Sequence, residues 1–314
     1  MSPAAPTASG SASSTGPDVV KILVTGKNGQ VGFELQRALA TLGEVVAVDH
    51  ADCDLADADA IRALVRRVAP DVIVNPAAYT AVDRAEADRE TAFAVNARAP
   101  GVFGEEAARL GTLVVHYSTD YVFDGAKDGS YAETDRPDPQ SVYGSTKHAG
   151  ELALAEANPR YLILRTSWVV GAHGGNFAKT MLRLAAEREQ LSVVADQFGA
   201  PTSAALLADL TAQLVRQYLR EGADGFPYGT YHVAGTGETS WCDYARFVIA
   251  QALAAGKSLK VHPEAVKPLT SAEYPTPAKR PANSRLDTTR FCTTFGLRLP
   301  PWQESVRHVL QQIF

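Results

Sequence analysis

Cysteine is scarce in this chain: only Cys53, Cys242 and Cys292 occur, odd in number and far apart. Such a set does not make a disulfide framework and fits a reducing compartment, so all three read as packing residues. Long apolar runs are missing as well. No stretch approaches the ~18 residues that cross a bilayer, and the N-terminus has neither the basic residues nor the apolar segment of a secretory signal. Positive charge is in deficit, with 30 Lys and Arg against 35 Asp and Glu, a net charge of -5. The chain therefore has no general attraction to phosphate backbones. No internal repeat is visible. These absences lead to the expectation of a cytoplasmic protein with neither nucleic acid nor membrane as partner.

What is present fits an ordinary enzyme. Hydrophobic residues make up 46% and charged residues 21% of 314 residues, which excludes a disordered or fibrous chain and allows one large or two unequal domains. Residues 1–18 are almost all Ser, Ala, Pro, Gly and Thr, too poor in apolar surface to offset the entropy of ordering, and are expected to be a disordered tail. From Val19 onward short β-branched runs alternate with helical stretches. Val19–Val24, Val45–Val48, Val72–Val74, Leu113–His116 and Leu162–Leu164 read as buried parallel strands. This alternation predicts an α/β fold with a doubly wound parallel sheet of Rossmann type and ligands at the carboxyl ends of its strands. After Trp168 the alternation weakens, and Gly171, Gly174 and Gly175 mark a crossing into a smaller C-terminal α/β lobe. Helices are expected there around Phe177–Glu187, Ala204–Tyr218 and Cys242–Ala254, followed by a Pro-rich segment, 263–281. The division is then 19–170 for an NAD(P)-binding domain and 171–314 mainly for a substrate-binding lobe, with some chain crossing back.

The first strand runs into Gly26-Lys27-Asn28-Gly29-Gln30-Val31-Gly32 and then into a helical pattern. Glycines there let the backbone turn tightly and approach a pyrophosphate, which sits against the free amides and positive end of the helix. A mere tight turn would also use glycine, but Asp49 ends the second strand 20 residues after Gly29, where a carboxylate bonds the ribose hydroxyls of a dinucleotide. Gly26, Gly29, Gln30, Val31, Gly32 and Asp49 are thus cofactor-site candidates. Asp49 disfavours a 2'-phosphate, whereas Lys27 and His50 supply compensating charge, so NADH and NADPH both stay open. Asp54 and Leu55 are placed beside the adenine. Ala77 and Ala78 leave room where the cofactor passes the end of the third strand, and Thr80 follows them.

Tyr143 and Lys147 are four apart at the start of a helical stretch, so both side chains lie on one helix face. The fourth strand ends in Tyr117-Ser118-Thr119-Asp120, which brings hydroxyls to the carboxyl edge. In this reading Thr119 bonds a substrate carbonyl, Tyr143 delivers a proton, and Lys147 stabilises tyrosinate and holds the nicotinamide ribose, with Tyr117 lining the cofactor. A free phenol titrates near 10, and bringing it to ~7 takes about 4 kcal/mol of anion stabilisation, for which Lys147 is the expected source.

Together these residues resemble the extended short-chain dehydrogenase/reductases, and among them most closely the dTDP-4-dehydrorhamnose reductases, from Val19 to the C-terminus. The closer resemblance rests on Ser118-Thr119-Asp120-Tyr121-Val122-Phe123, Arg165-Thr166-Ser167-Trp168, Asp196-Gln197-Phe198-Gly199-Ala200-Pro201-Thr202 and the stretch from Pro275 to Leu286. It implies NAD(P)H-dependent reduction at C4 of a dTDP-4-keto-6-deoxysugar, with Thr119, Asp120, Trp168, Phe198, Arg280 and Arg285 toward the substrate. Trp168 offers an apolar face to a sugar ring, and Arg280 or Arg285 suits a diphosphate. Where family members carry His before the threonine, this chain has Tyr79 before Thr80. The resemblance also raises magnesium and a homodimer, although no carboxylate cluster stands out in the sequence.

Two rival readings share part of this pattern. A nucleotide-sugar epimerase or dehydratase shares the Tyr and Lys, but Asp120 lacks an adjacent glutamate for dehydration. A non-catalytic regulatory subunit shares the nucleotide fold but has no need of an intact triad.

Overall fold

The computed structural model describes residues 19–314; the expected tail, 1–18, lies outside the described residues. Its centre is a six-stranded, wholly parallel sheet. The strands are β1 (Lys21–Val24), β2 (Glu44–Ala47), β3 (Val72–Asn75), β4 (Leu113–Thr119), β5 (Tyr161–Thr166) and β6 (Gly229–His232). Their order across the sheet is β6-β5-β4-β3-β1-β2. Runs such as Val72-Ile73-Val74 and Leu113-Val114-Val115 are buried on both faces, as expected of a parallel sheet covered by helices.

The principal helices are α1 (Gln30–Leu39), α2 (Ala58–Val68), α3 (Ala99–Leu110), α4 (Val142–Ala157), α5 (Phe177–Glu187), α6 (Ala204–Glu221), α7 (Trp241–Ala254) and α8 (Trp302–Ile313). Start signals are visible in the sequence: Asp57, Ser141, Asn176, Ser203 and Ser240 each accept a backbone N–H of the helix they precede. On one sheet face Leu35 and Leu39 of α1 pack with Leu207, Leu210 and Leu214 of α6 over Ile22, Val24 and Val115. On the other face Ile61 and Leu64 of α2, Phe103 of α3 and Leu154 of α4 cover Leu23, Ile73, Val114 and Ile163.

The strands match the sequence reading to within a residue or two at most ends, but β4 extends to Thr119 and β5 to Thr166. Part of the chain beyond residue 170 crosses back to the main sheet. Residues of α6 and β6, numbered with the second lobe, complete one face and one edge of the main sheet. The smaller lobe is built on α5, α7 and α8, with Tyr244, Val248, Trp302 and Val306 in one cluster. A second cluster holds Met181, Leu191, Ile249 and Val266, beside a parallel pair formed by Leu191–Val194 and Val266–Leu269.

Strand order reverses between β1 and β3, because β2 lies on one side of β1 and all later strands on the other. A crevice opens there beyond the carboxyl ends, where open α/β sheets bind ligands.

Candidate active site

A cleft of about 1010 Å³ occupies that crevice, lined by the turns after β1, β2, β3, β4 and β5, the start of α4, and Gly174, Gly175 and Trp241 from the smaller lobe. At its floor the glycine loop meets the start of α1. Gly26 has a φ of +60°, the left-handed region open to glycine. A Cβ on Gly32 would stand 2.0 Å from the Gly26 carbonyl oxygen, so only glycine lets α1 approach this closely. Gly29 caps the helix without any side-chain bond, and the first turn has no acidic residue. The N–H groups of Gln30, Val31 and Gly32 therefore have no helical acceptor and face a region that favours an anion. These features fit the pyrophosphate of a nicotinamide dinucleotide. Gln30 contributes backbone only: its side-chain oxygen accepts from Gly171 N at 2.8 Å and Asn176 Nδ2 at 3.0 Å, tying the loop to the crossing segment.

Asp49 stands at the end of β2 on the cleft wall. One of its oxygens accepts from Asn28 Nδ2 at 2.6 Å, the other from Ala51 N at 2.9 Å. Asp54, Leu55, Ala77, Ala78 and Thr80 also line the cleft. The turn after β3 is fastened from behind by Asn96, buried in a π-helical turn at Ala94–Arg98. Asn96 accepts from Tyr79 N at 2.8 Å and donates to Tyr79 O at 3.1 Å and to Thr146 Oγ1 at 3.1 Å, linking the cofactor turn to α4.

Thr119, Tyr143 and Lys147 come together on one wall. Ser141 caps α4 through Gly144 N, and Gly144 lets the helix press on the preceding turn: a Cβ there would lie 2.1 Å from Tyr121 O. That close approach sets Tyr143 edge-on to Tyr121, with ring centroids 5.4 Å apart. Side chains alternate along β4. His116 therefore turns to α4 while the Tyr117 phenol turns away, pairing with Thr211 Oγ1 at 2.6 Å; Tyr117 serves the site through its carbonyl.

The Lys147 ammonium is buried, donating to Tyr117 O at 2.6 Å and lying 3.1 Å from His116 Nε2. His116 Nδ1 is 3.1 Å from Asn75 Nδ2, Asn75 Oδ1 accepts from Thr25 Oγ1 at 2.6 Å, and Thr25 Oγ1 accepts from Ala77 N at 3.3 Å. A line of buried polar groups thus runs from the lysine to the backbone beside the glycine loop. Behind it Glu151, one turn along α4, is bridged by Arg165 at 2.8 and 2.6 Å.

Burial pushes the Tyr143 phenol above its ordinary range, with the Thr119 hydroxyl working against that rise. The lysine is held toward Tyr117 O and His116. Without ligand, then, Tyr143 is a neutral phenol, the form that gives a proton. Burial brings Lys147 down to about 8, against the pull of Glu151. Burial, with the Lys147 charge adding to it, drives His116 well below its ordinary value and keeps it neutral. Asp120 is raised to about 6 by burial, and its Oδ2 is buried with no hydrogen-bond partner.

The substrate candidates divide. Trp168 lines the cleft, stacked on Trp241 at 3.6 Å, and holds a left-handed φ of +48°. Such strain in a residue with a Cβ is kept where surroundings over-determine it, commonly at binding sites. Phe198, Arg280 and Arg285 do not line the cleft among the described residues. Arg280 sits behind the wall, bonded to Asp83 at 2.6 Å and to the Tyr121 hydroxyl at 3.3 Å. Arg285 is taken up by Glu238 at 2.9 Å and Asn283 at 2.8 Å, and Phe198 is 40% exposed. Among the described residues no group of three or more His, Cys, Asp or Glu side chains is placed so that it could hold a metal ion, so the magnesium expectation finds no ligand set.

The cleft can be set against known proteins. The dTDP-4-dehydrorhamnose reductase of Escherichia coli K12 is 49% identical over 94% of this chain and 98% of its own. Residues 20–314 match the family profile described as RmlD substrate binding domain. The chain belongs to the RmlD family of dTDP-4-dehydrorhamnose reductases. The Burkholderia thailandensis reductase is 48% identical over 91% of this chain and 97% of its own. The crystal structure of the Bacillus anthracis reductase in complex with NADP superimposes with a TM-score of 0.86 at 34% identity, covering 94% of this chain and 99% of that one.

For an RmlD family member, the most informative residues missed from the sequence are His116, Asn96 and Trp241. His116 offered one signal, a titratable residue inside an apolar strand run. Asn96 and Trp241 offered none, because their partners lie far along the chain.

Proposed function

We propose that this chain is the NAD(P)H-dependent reductase that converts the C4 keto group of dTDP-4-dehydro-L-rhamnose into the alcohol of dTDP-L-rhamnose, within dTDP-rhamnose biosynthesis. The observation that carries this reading is the meeting of Thr119, Tyr143 and Lys147 on one wall of a dinucleotide-sized cleft, in a chain 49% identical to a reductase of that name.

Reduced nicotinamide supplies hydride when bound. The chain's own groups do the rest. The Thr119 hydroxyl and the Tyr143 phenol hold the keto oxygen. As C4 gains hydride, the Tyr143 proton passes to that oxygen, so C=O becomes CH–OH and a tyrosinate is left for solvent to reprotonate. A phenol that burial keeps protonated suits this direction. Beyond the bonds to Tyr117 O and His116, the Lys147 ammonium has a third N–H for the nicotinamide ribose. The Trp168 face packs on the sugar, and the orphan Asp120 Oδ2 accepts from a sugar hydroxyl. The three free thiols support a cytoplasmic setting.

The test is to supply dTDP-4-dehydro-L-rhamnose with NADH or NADPH and follow nicotinamide absorbance. Oxidation that depends on the sugar is expected, with dTDP-L-rhamnose as product. Absence of oxidation by either cofactor would overturn the proposal.

A further inference from the structure

We propose that Asp52 determines how well this enzyme tells NADH from NADPH, by holding the Lys27 ammonium as its counter-ion and so withholding it from a 2'-phosphate. The inference rests on the reading of the cleft as a nicotinamide dinucleotide site.

Lys27 lies in the glycine loop and Asp49 at the end of β2, where a carboxylate meets the adenosine ribose hydroxyls. Asp49 lines the cleft and Lys27, although not on the lining itself, has its Nζ 3.5 Å from Asp49 Oδ2, so a 2'-phosphate set against Asp49 would be close enough to draw that ammonium. The ammonium is nearer to Asp52, at 2.5 Å from Oδ2. The same Asp52 oxygen is fixed in place, since it accepts the Asp49 backbone N–H at 3.0 Å, while Asp49 Oδ1 accepts Ala51 N and Asp52 N at 2.9 and 3.3 Å. The two aspartates thus brace one turn, and the lysine closes it.

The charge count follows from these bonds. One lysine faces two carboxylates, and the neighbouring His50 is itself turned to Asp54, with its Nδ1 3.5 Å from Oδ1. A ribose hydroxyl finds an acceptor in Asp49. A phosphate of nearly two negative charges meets a net anion, and gains the lysine only by taking it from Asp52. Neutralising Asp52 removes one repulsion and frees the Lys27 ammonium for a 2'-phosphate.

The substitution Asp52→Asn keeps an oxygen for the Asp49 N–H and removes only the charge. Affinities for NADH and NADPH are measured by titration calorimetry, without sugar, on wild type, Asp52→Asn and the double variant Asp52→Asn/Lys27→Met. Wild type is expected to bind NADH at least as tightly as NADPH. Asp52→Asn is expected to shift the ratio roughly fivefold toward NADPH, the size of an exposed charge pair, and less so in high salt. The double variant should lose that gain. An unchanged NADPH:NADH ratio in Asp52→Asn, or a gain that survives loss of Lys27, overturns the proposal. If wild type binds neither dinucleotide, the cofactor reading itself fails and the proposal falls with it.

Discussion

The Lys147 ammonium lies 3.1 Å from His116 Nε2 inside the protein. An ammonium only donates. His116 must therefore accept at Nε2 and carry its proton on Nδ1, which requires the Asn75 amide to turn over from the placement described above, so that its oxygen meets Nδ1. The placement with Asn75 donating to Nδ1 and accepting from Thr25 goes instead with a neutral lysine that accepts a hydrogen bond from Nε2–H. The orientation of one buried amide thus reports the charge state of the lysine.

His116→Gln keeps an acceptor near the Nε2 position and should retain most turnover. His116→Leu removes it, leaves the ammonium one acceptor short and should lower kcat by about tenfold, the loss of one charged hydrogen bond. The pH profile separates this from simple loss of packing. With the acceptor gone the charged lysine is less favoured, so the alkaline limb should move to lower pH in His116→Leu and stay in place in His116→Gln.

The alkaline limb itself follows from burial of Lys147. Its charged form is present below about 8 and is lost as pH rises through that value. Since kcat/KM reports the free enzyme, it should fall above pH ~8. Tyr143 adds no limb there, because burial raises it rather than lowers it.

Tyr143→Phe removes the proton donor and nothing else from the cleft wall. NADH affinity should stay within about twofold while turnover drops roughly 10²- to 10⁴-fold, the usual contribution of a positioned acid. Calorimetry with NADH and steady-state rates on the same preparation check both halves.

The ion pair behind the site is a matter of stability. Burial alone would raise Glu151, but hydrogen bonds from Arg165 and His148 and the Arg165 charge outweigh it and hold the carboxyl at about 2. A carboxylate held below its ordinary 4.5 contributes stability that is complete above that value and is lost as pH falls toward 2. Glu151→Gln leaves Arg165 buried without its charge partner and should cost about 3 to 5 kcal/mol. Thermal melts at pH 7 should show a lower Tm, with the gap to wild type closing between pH 4.5 and 2.

Much of the nucleotide half was legible because its signals are local. Gly26 and Gly32 are needed at their own positions in the turn, Asp49 follows from strand length, and Tyr143 and Lys147 share a face by helical period. The direction in which Lys147 points was not legible. Periodicity says which residues share a face, but not that His116 and the Tyr117 carbonyl, 31 and 30 residues earlier, hold the ammonium. The same limit hid the return of α6 and β6 to the main sheet, since a buried strand reads alike in either lobe. It also hid the partners of Arg280 and Arg285, whose chemistry suits a diphosphate and which the fold pairs with Asp83 and Glu238.

The reaction turns on hydride delivery to one carbon. The most direct measurement supplies dTDP-4-dehydro-L-rhamnose with NADPH and NADH carrying deuterium at both nicotinamide C4 positions, and reads the product by proton NMR. The expected product is dTDP-L-rhamnose that has lost its proton signal at sugar C4 and no other. A product labelled elsewhere, or oxidation of the cofactor without deuterium in the sugar, would contradict it.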